Sequence, residues 1–235
     1  MLSVVVPAHD EEEHIAACLE SLRAASRYPS LGGEEVLIVV ALDACTDGTA
    51  EVSRRLGATV IETKARNVGI ARGVGANLAL SAGARWLAFT DADSVVAPDW
   101  LSAQLMQRAD AVCGTIEVND WGDYGEAMRL QHQRTYRDVD GHRHIHGANL
   151  GVSASAYRRV GGFQPLSSSE DVALVNALHV HGASIAWSAS PRVVTSARRR
   201  YRAPGGFGEK SPVRANRRSL SERHECDRRP TFTGG

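Results

Sequence analysis

The sequence predicts an α/β domain in which helices cover both faces of a mostly parallel central sheet. Short apolar runs alternate along the chain with longer segments whose apolar residues recur at helical spacing. The apolar runs lie at residues 2–8, 35–41, 58–62, 86–89, 111–118 and 185–187. Acidic residues follow several of these runs directly, which is where ligands bind in an open α/β sheet. A chain of 235 residues is long enough for one such domain with its own core.

Composition and charge narrow the class of protein. Hydrophobic residues make up 43% and charged residues 23% of the chain, as in ordinary globular proteins. Residues 1–191 hold 15 basic and 23 acidic side chains, which argues against nucleic-acid binding by this part. Residues 192–235 hold 12 basic and 4 acidic side chains, which suits peripheral contact with phosphates or an anionic membrane surface. The shift toward Pro, Gly, Arg and Ser predicts a folded domain over 1–202 and a basic, disordered tail over 203–235.

Cysteine usage and hydropathy indicate the compartment. The four cysteines show no CxxC or metal-type spacing, which predicts free thiols in a reducing environment. No apolar run is long enough to span a membrane, and the apolar start of the chain is too short for a signal peptide. We therefore expect a cytoplasmic protein without a transmembrane segment.

The first strand and helix bring acidic residues to the ligand edge of the sheet. Residues 2–8 form the first buried strand, and the segment that follows, to about Ala25, has helical spacing. Acidic residues at 10–13 suit the positive end of a helix dipole. Asp10 and Glu11 differ from the others, because they lie at the strand-to-helix turn where a ligand would bind.

The second strand, residues 35–41, leads into a turn that carries two aspartates. Asp43 comes at the end of the strand and is suited to accept hydrogen bonds from a base or a ribose. Thr46 or Asp47 is expected to cap the next helix, and Gly57 to end it.

A glycine-rich stretch, residues 67–77, follows the third strand at 58–62. It has neither the strand-adjacent GxGxxG of a dinucleotide fingerprint nor the GKS or GKT of a P-loop. We interpret it as a loop that enters a helix, whose small residues allow close approach of a ligand or another element. Arg72 is a candidate partner for a diphosphate, and a surface salt bridge explains it equally well.

Two carboxylates, Asp91 and Asp93, follow the buried strand 86–89. Carboxylates one residue apart repel each other unless a cation lies between them. Oxygen ligands with open positions suit Mg²⁺ or Mn²⁺, which usually bridge to substrate phosphates. The alternative is a strand-ending aspartate followed by a solvated turn, and the other segments of the chain favour the cation site.

A polar helix and a histidine cluster come next. A helix is expected to begin at Pro98, and a second one over 121–138 to cover the acceptor side of a cleft. His142, His144 and His146 alternate, as on one face of a strand, so a histidine metal site is the less favoured interpretation. The favoured one exposes the first two histidines and turns His146 toward the cleft.

Two helices are predicted near the end of the domain. The first covers about 154–163 and ends in glycines, and the second follows the serines at 167–169. A capping box explains Glu170, while the helix N-terminus favours the ionised form of Asp171. Gly182 closes this helix.

Five of these segments resemble motifs of the family 2 glycosyltransferases, whose GT-A fold is a Rossmann-like α/β/α sandwich. The resemblance spans about residues 2–195. Its segments are 5–11 (similar to P-x-Y-N-E), 42–49 (D-D-G-S-T-D-G-T), 91–93 (D-x-D), 147–163 (the segment before the catalytic helix) and 170–171 (the E-D pair). Each motif is weak alone, whereas five in this order and spacing are specific.

The resemblance implies a nucleotide-sugar donor and a divalent cation. Candidate residues for the donor nucleotide and its diphosphate are Pro7, Ala8, Glu11, Asp43, Arg72 and Asp91. Leu42 replaces the first aspartate of its motif, which leaves the base or ribose contact to Asp43. Asp93 would bind Mg²⁺ or Mn²⁺, and the ion would hold the diphosphate.

On the acceptor side, the resemblance makes Asp171 the base that deprotonates a hydroxyl. His146, Asn149 and Glu170 are expected on the acceptor or donor-sugar side. One base and one direct displacement invert the anomeric centre. The predicted activity is therefore inverting, metal-dependent hexosyl transfer to a small-molecule, lipid-linked or glycan acceptor.

Two other classes of protein stay open at this point. A sugar-phosphate nucleotidyltransferase shares the sheet and the metal, but it normally has a basic Gly-rich loop where this chain has residues 7–11. A catalytically degenerate nucleotide-sugar-binding protein is compatible with the altered second motif. The presence of both Asp93 and Asp171 argues against it.

Overall fold

The structure is a computed structural model, and it describes residues 1–121 and 125–196. The predicted tail at 203–235 and the predicted domain boundary at 202 lie outside the described residues.

The described residues contain ten strands and seven α-helices. The strands are β1 (Leu2–Ala8), β2 (Val36–Asp43), β3 (Thr59–Thr63), β4 (Trp86–Phe89), β5 (Val95–Val96), β6 (Ala111–Gly114), β7 (Glu117–Asp120), β8 (Leu150–Ser153), β9 (Ile185–Ser188) and β10 (Val193–Ser196). The helices are α1 (Ile15–Ser26), α2 (Thr49–Arg55), α3 (Val68–Ser81), α4 (Trp100–Met106), α5 (Gly125–Thr135), α6 (Ala154–Arg159) and α7 (Glu170–Val180), with a short 3-10 helix at Pro29–Leu31.

Seven strands form the central sheet in the order β3-β2-β1-β4-β8-β6-β9. Its neighbours run parallel except at β8, which pairs antiparallel with both β4 and β6. A second sheet of three strands has the order β5-β10-β7. The predicted α/β fold with a mostly parallel central sheet is therefore confirmed.

Two hydrophobic layers sandwich the central sheet. Along β1, Val4 and Val6 belong to one core cluster and Val5 to the other, as expected for alternating side chains of a strand. Helices α1, α2 and α4 pack on the first face, and α3, α6 and α7 on the second. Burial on both faces explains why the first strand is a continuous apolar run rather than an alternating one.

Helix α3 packs closely against the sheet at Gly75, which has no side chain. A Cβ atom on Gly75 would come within 2.5 Å of the Val5 Cγ1 atom. The small residues at 67–77 thus allow the close approach of another element, as predicted, although most of the stretch is helix rather than loop.

Several predicted boundaries differ from the structure. The run 111–118 is two strands in two sheets, because the chain changes sheets at Thr115, whose carbonyl accepts a hydrogen bond from the Asn149 side chain. Strand β8, which runs antiparallel to both of its neighbours, has no separate sequence signal. Helix α1 begins only at Ile15, so the acidic residues precede it rather than occupy its first turn. Helix α4 begins at Trp100 instead of Pro98.

The length and apolarity of the helices bear on membrane insertion. Among residues 1–121 and 125–196, every helix is too short or too polar to cross a bilayer.

Candidate active site

The carboxyl ends of three parallel strands meet at one edge of the central sheet. In register, Ala8 of β1 pairs with Leu42 of β2, and Val5 of β1 pairs with Phe89 of β4. The turns after these strands therefore lie side by side, and they carry the acidic residues picked out in the sequence. Ligands of open α/β sheets bind at this edge.

A buried arginine joins two of the predicted site residues. Arg72 on α3 is only 4% exposed, and its Nη2 lies 2.5 Å from Oδ1 of Asp91. Its Nη1 pairs with Oε1 of Glu170, at the start of α7. We call these three residues the arginine bridge. It connects the end of β4 to the first turn of α7, and Arg72 and Glu170 are 98 residues apart in sequence.

The arginine bridge changes the interpretation of Arg72 and Glu170. The salt bridges of Arg72 do not lie on the surface, because its guanidinium is buried between two carboxylates. Glu170 does not belong to a capping box, since Ser169 has a left-handed φ of 60° and makes no capping hydrogen bond through its side chain. With 4% exposure, Glu170 is a partner of Arg72 rather than a residue on the acceptor or donor-sugar surface.

Three carboxylates lie close enough to influence one another. Burial raises the pKa of the Asp91 carboxyl, the Arg72 charge opposes that rise, and the negative charges of Asp93 and Asp171 add to it. Asp93 and Asp171, predicted from distant parts of the chain, therefore belong to the same electrostatic neighbourhood around Asp91.

Backbone amides hold the Asp171 carboxylate in place. Its Oδ2 accepts a 2.8 Å hydrogen bond from the Gly147 N–H, and its Oδ1 accepts one of 2.7 Å from the Val172 N–H. The residue lies in the first turn of α7, where the helix dipole favours a negative charge. Asp171 is partly exposed, so it combines a fixed orientation with access to a ligand.

Asp91 and Asp93 supply carboxylates of the type that a hard divalent cation prefers. Glu170 is committed to Arg72, and among the described residues these acids do not form a group of three ligand atoms within 4.8 Å of one another. Mg²⁺ and Mn²⁺ prefer carboxylate oxygens, and a cation would relieve the repulsion among them. Asp93 is the predicted ligand, and its side chain is partly exposed at the site.

Among the described residues, a group of three metal-type donors lies at another place. Asp10, Cys45 and Asp47 bring ligand atoms within 4.8 Å of one another. Asp10 already accepts hydrogen bonds from the N–H and hydroxyl of Thr46, and Asp47 accepts from the N–H groups of Glu12 and Thr49. Burial raises the pKa of the Cys45 thiol, which disfavours the thiolate that binds metals.

These hydrogen bonds interlock the turns after β1 and β2, residues 9–12 and 45–49, which we call the donor-side loops. Glu12 and the second turn bond reciprocally: the Glu12 N–H donates to Asp47 and the Gly48 N–H donates to Glu12. The Glu11 N–H donates to the Thr49 hydroxyl at 2.7 Å, and Glu11 is 9% exposed. Glu11 is therefore held in a fixed position at the strand edge, close to Pro7 and Ala8. Asp47, as predicted, contacts the start of α2, whereas Thr46 instead binds Asp10.

Asp43 supports a neighbouring loop through its carboxylate. Oδ1 accepts a 2.8 Å hydrogen bond from the Arg66 N–H, and Oδ2 accepts one of 2.6 Å from the Asn67 N–H. Arg66 has a left-handed φ of 49°, and Asp43 is 5% exposed. Each carboxylate oxygen keeps a second lone pair, so contact with a nucleoside is compatible with this supporting role.

Asn149 is a structural residue, contrary to the prediction that placed it on the acceptor or donor-sugar side. It is fully buried, its amide donates to the carbonyls of Thr115 and Pro191, and its Oδ1 accepts from the Trp100 indole. Both amide protons and the oxygen are thus committed to the junction of the two sheets.

His146 belongs to a stack of aromatic rings beside the site. The ring of Tyr136 lies 4.6 Å from that of His132 and 4.3 Å from that of His144, all nearly parallel. The Tyr136 hydroxyl accepts from the Ile116 N–H and shares a hydrogen bond of 3.0 Å with Nε2 of His146. Burial lowers the pKa of His146 to about 3, so this ring is neutral at physiological pH.

The ring stack does not form the histidine metal site considered from the sequence. His142 is buried, its Nδ1 accepts from the His144 N–H, and its Nε2 faces the Ser188 carbonyl. Nε2 of His144 accepts from the Arg137 N–H. Since these nitrogens bond to protein groups, the histidines contribute stacking rather than ligands. The predicted exposure of His142 is wrong, and that of His144 is partial.

Sequence reasoning missed two supports of the site. The backbone N–H of Gly147 holds the Asp171 carboxylate. The Thr49 hydroxyl accepts a hydrogen bond from the N–H of Glu11, which lies 38 residues away in sequence. The family-like turn at 147–149 marked the neighbourhood of the first, whereas nothing in the local sequence marks the second.

The fold and the site together define a GT-A type α/β domain, with an acidic cluster at the carboxyl edge of its sheet. The glycosyl transferase family 2 model matches residues 3–161, and the chain belongs to that family.

Three known proteins are similar to this chain. Low-salt glycan biosynthesis hexosyltransferase Agl6 of Haloferax volcanii is 41% identical over 70 residues, which are 30% of this chain and 16% of that protein. S. aureus TarS 1–349, solved with UDP-GlcNAc, superposes with a TM-score of 0.66 at 17% identity, covering 88% of this chain and 61% of that one. The mannosyltransferase PcManGT from Pyrobaculum calidifontis, solved with GDP-Man and Mn²⁺, superposes with a TM-score of 0.63 at 20% identity, covering 97% of this chain and 65% of that one. The chain thus spans less than two thirds of each protein.

Proposed function

We propose that this protein transfers a hexosyl group from a nucleotide diphosphate sugar to an acceptor hydroxyl, with inversion at the anomeric carbon and with a divalent cation. The observation that carries the proposal is the arginine bridge, which joins Asp91 at the carboxyl edge of the sheet to Glu170, the residue before Asp171. Residues from two distant motifs meet at one site, as a reaction between a donor and an acceptor requires.

The donor nucleotide is proposed to bind over the ends of β1 and β2. Pro7 and Ala8 supply the strand end, Glu11 is fixed by Thr49, and Asp43 keeps lone pairs for a base or ribose. Asp91 would then face the ribose or donor sugar. The similar structures of TarS and PcManGT were solved with UDP-GlcNAc and GDP-Man, which supports a nucleotide-sugar donor of either base.

Asp171 is proposed as the base that accepts the proton of the acceptor hydroxyl. The Gly147 and Val172 N–H groups fix the carboxylate without removing all its lone pairs, so one oxygen can still receive a proton. The oxygen of the acceptor forms its bond to the anomeric carbon while the bond to the diphosphate oxygen breaks. A single displacement of this kind inverts the anomeric centre.

Asp93 would hold Mg²⁺ or Mn²⁺, with Asp91 beside it. When bound, the ion neutralises charge that develops on the departing diphosphate. The Mn²⁺ in the PcManGT structure supports this choice of ion.

The acceptor side is proposed to lie between α7 and the ring stack, near His146. A small-molecule, lipid-linked or glycan hydroxyl would suit a partly exposed carboxylate base, and nucleic acid is not an expected partner. Cys18, Cys45 and Cys113 are free thiols, which supports the proposed cytoplasmic location. Peripheral contact of the basic C-terminal segment with a membrane stays a proposal.

The test replaces Asp171 by asparagine, which keeps the shape of the side chain but cannot accept the proton. We expect Asp171→Asn to lower the transfer rate by about 10²–10⁴-fold while nucleotide diphosphate binding, measured by calorimetry with Mn²⁺, is retained. Glu62→Gln is the matched control, since Glu62 is exposed and pairs only at the surface with Arg54. A transfer rate in Asp171→Asn equal to that of the wild type would refute the assignment of the base. Release of pyrophosphate from a nucleoside triphosphate and a sugar phosphate would instead indicate a nucleotidyltransferase.

A further inference from the structure

Arg72 touches the site at more points than its two ion pairs. Its guanidinium packs against the backbone of Gly147, where an added Cβ atom would come within 2.4 Å of Nη2. The N–H of that same glycine donates to the Asp171 carboxylate. Glu170, which pairs with Nη1 of Arg72, directly precedes Asp171 in the first turn of α7. Arg72 therefore contacts Gly147, whose N–H holds the Asp171 carboxylate, and Glu170, the residue before Asp171.

The environment of Arg72 leaves little room for a ligand. The side chain is 4% exposed, and both terminal nitrogens are bonded to carboxylates of the protein. The Phe163 ring covers the guanidinium, with its centroid 5.9 Å from the Cζ atom. A diphosphate would have to displace Asp91 or Glu170 to reach the two terminal nitrogens.

Helix α3 is fastened to the loop before α7, which brings Arg72 into register with Glu170. Gly69 lies so close to that loop that an added Cβ atom would come within 2.4 Å of the Gln164 carbonyl oxygen. The Asn67 side chain donates to the Pro165 carbonyl at 3.2 Å. These contacts are independent of the ion pairs, and they show that the helix and the loop form one packed unit.

We propose that Arg72 is a positioning residue for Asp171, and not a ligand of the diphosphate. It holds the first turn of α7 through Glu170, supports the Gly147 amide that orients Asp171, and offsets the mutual repulsion of the carboxylates. The proposal rests on the proposed function only in naming Asp171 as the base. The placement of that carboxylate can be measured without any turnover.

The experiment compares Arg72→Met with Arg54→Met. Arg54 is the matched control, because it is 57% exposed and forms a surface pair with Glu62. In Arg72→Met we expect kcat to fall at least 100-fold, while KM for the donor and Kd for the nucleotide diphosphate stay within about threefold. Hydrogen exchange of the Gly147 amide should become at least tenfold faster, because its acceptor is no longer held. Arg54→Met should change none of these quantities.

Two further variants keep the test decisive if Arg72→Met folds poorly. Arg72→Lys retains the charge but reaches one carboxylate at a time, so we expect part of kcat and part of the exchange protection to return. Glu170→Gln keeps an acceptor for Arg72 without a charge, and it should show the same pattern with about a tenfold loss in kcat.

Opposite results would separate the two proposals. A nucleotide diphosphate Kd raised tenfold in Arg72→Met, with unchanged exchange at Gly147, would overturn the positioning role in favour of a diphosphate contact. If the wild type transfers no sugar from any nucleotide sugar, the proposed function fails. In that case, the exchange at Gly147 still decides whether Arg72 holds Asp171.

Discussion

The donor-side loops and the arginine bridge stabilise the two halves of one site by different means. In the loops, carboxylates accept hydrogen bonds from backbone N–H groups in partly exposed turns, as with Asp10 and Thr46. In the bridge, a buried guanidinium pairs with carboxylates on two other elements. The loops share their stability among many modest bonds, whereas the bridge concentrates it in one side chain.

This difference predicts how much stability a mutation costs in each half of the site. A solvated carboxylate that loses a partner can turn to water, so the cost is that of one net hydrogen bond. A buried carboxylate that loses its guanidinium partner remains in a medium of low dielectric constant, so the free energy of unfolding falls by much more. The arginine bridge should therefore be more sensitive to mutation than the donor-side loops, although both carry carboxylates of the candidate site.

The largest effect on folding is expected from Arg72→Met. This change leaves Glu170 buried at 4% exposure without its cation, and the free energy of unfolding should fall by about 3–5 kcal/mol. Chemical denaturation measures this directly. Arg54→Met removes an exposed pair and should cost less than about 1 kcal/mol. Equal losses in the two variants would contradict the contrast between buried and exposed charges.

An intermediate effect is expected from Asp43→Asn in the donor half. Asparagine offers one acceptor oxygen to two N–H donors, those of Arg66 and Asn67, so one charge-assisted bond is lost. We expect the free energy of unfolding to fall by about 1.5–3 kcal/mol. Thermal unfolding of Asp43→Asn beside Glu62→Gln would measure it. A loss as large as that of Arg72→Met would remove the distinction between the two halves.

The smallest effect is the pH response of the donor-side loops. The Thr46 N–H lowers the pKa of Asp10 below its model-peptide value of 3.8. A depressed pKa in the folded state gives stability that is present above the unfolded value and is lost as pH falls through the folded one. Asp10→Asn should therefore flatten the fall in stability below about pH 4. Unfolding curves between pH 2 and 6 for Asp10→Asn and wild type would test this, and parallel curves would contradict it.

Much of the fold was predictable because it follows from local pattern. Strands β1 to β4 and helices α1 and α7 coincide closely with apolar runs and helical spacing, since both depend on neighbouring residues. Strand β8 and the split of 111–118 were not predictable, because each depends on which partner strand or side chain lies alongside. The same holds for the ring stack, whose members look in sequence like exposed histidines.

The site divides in the same way. The motif after β4 determined where Asp91 and Asp93 would stand, because residues after parallel strands reach one edge of the sheet. Asp171 lies in the first turn of α7 and reaches the same site only through the packing of that helix. The contacts of Arg72, Glu170 and Asn149 became visible only in the tertiary structure. A polar side chain can bind a ligand or satisfy a buried partner, and the sequence does not show which partner comes within reach. In this chain burial decided the matter: a charge or amide removed from water must find its partner inside the protein, and these residues found theirs in one another and in the backbone.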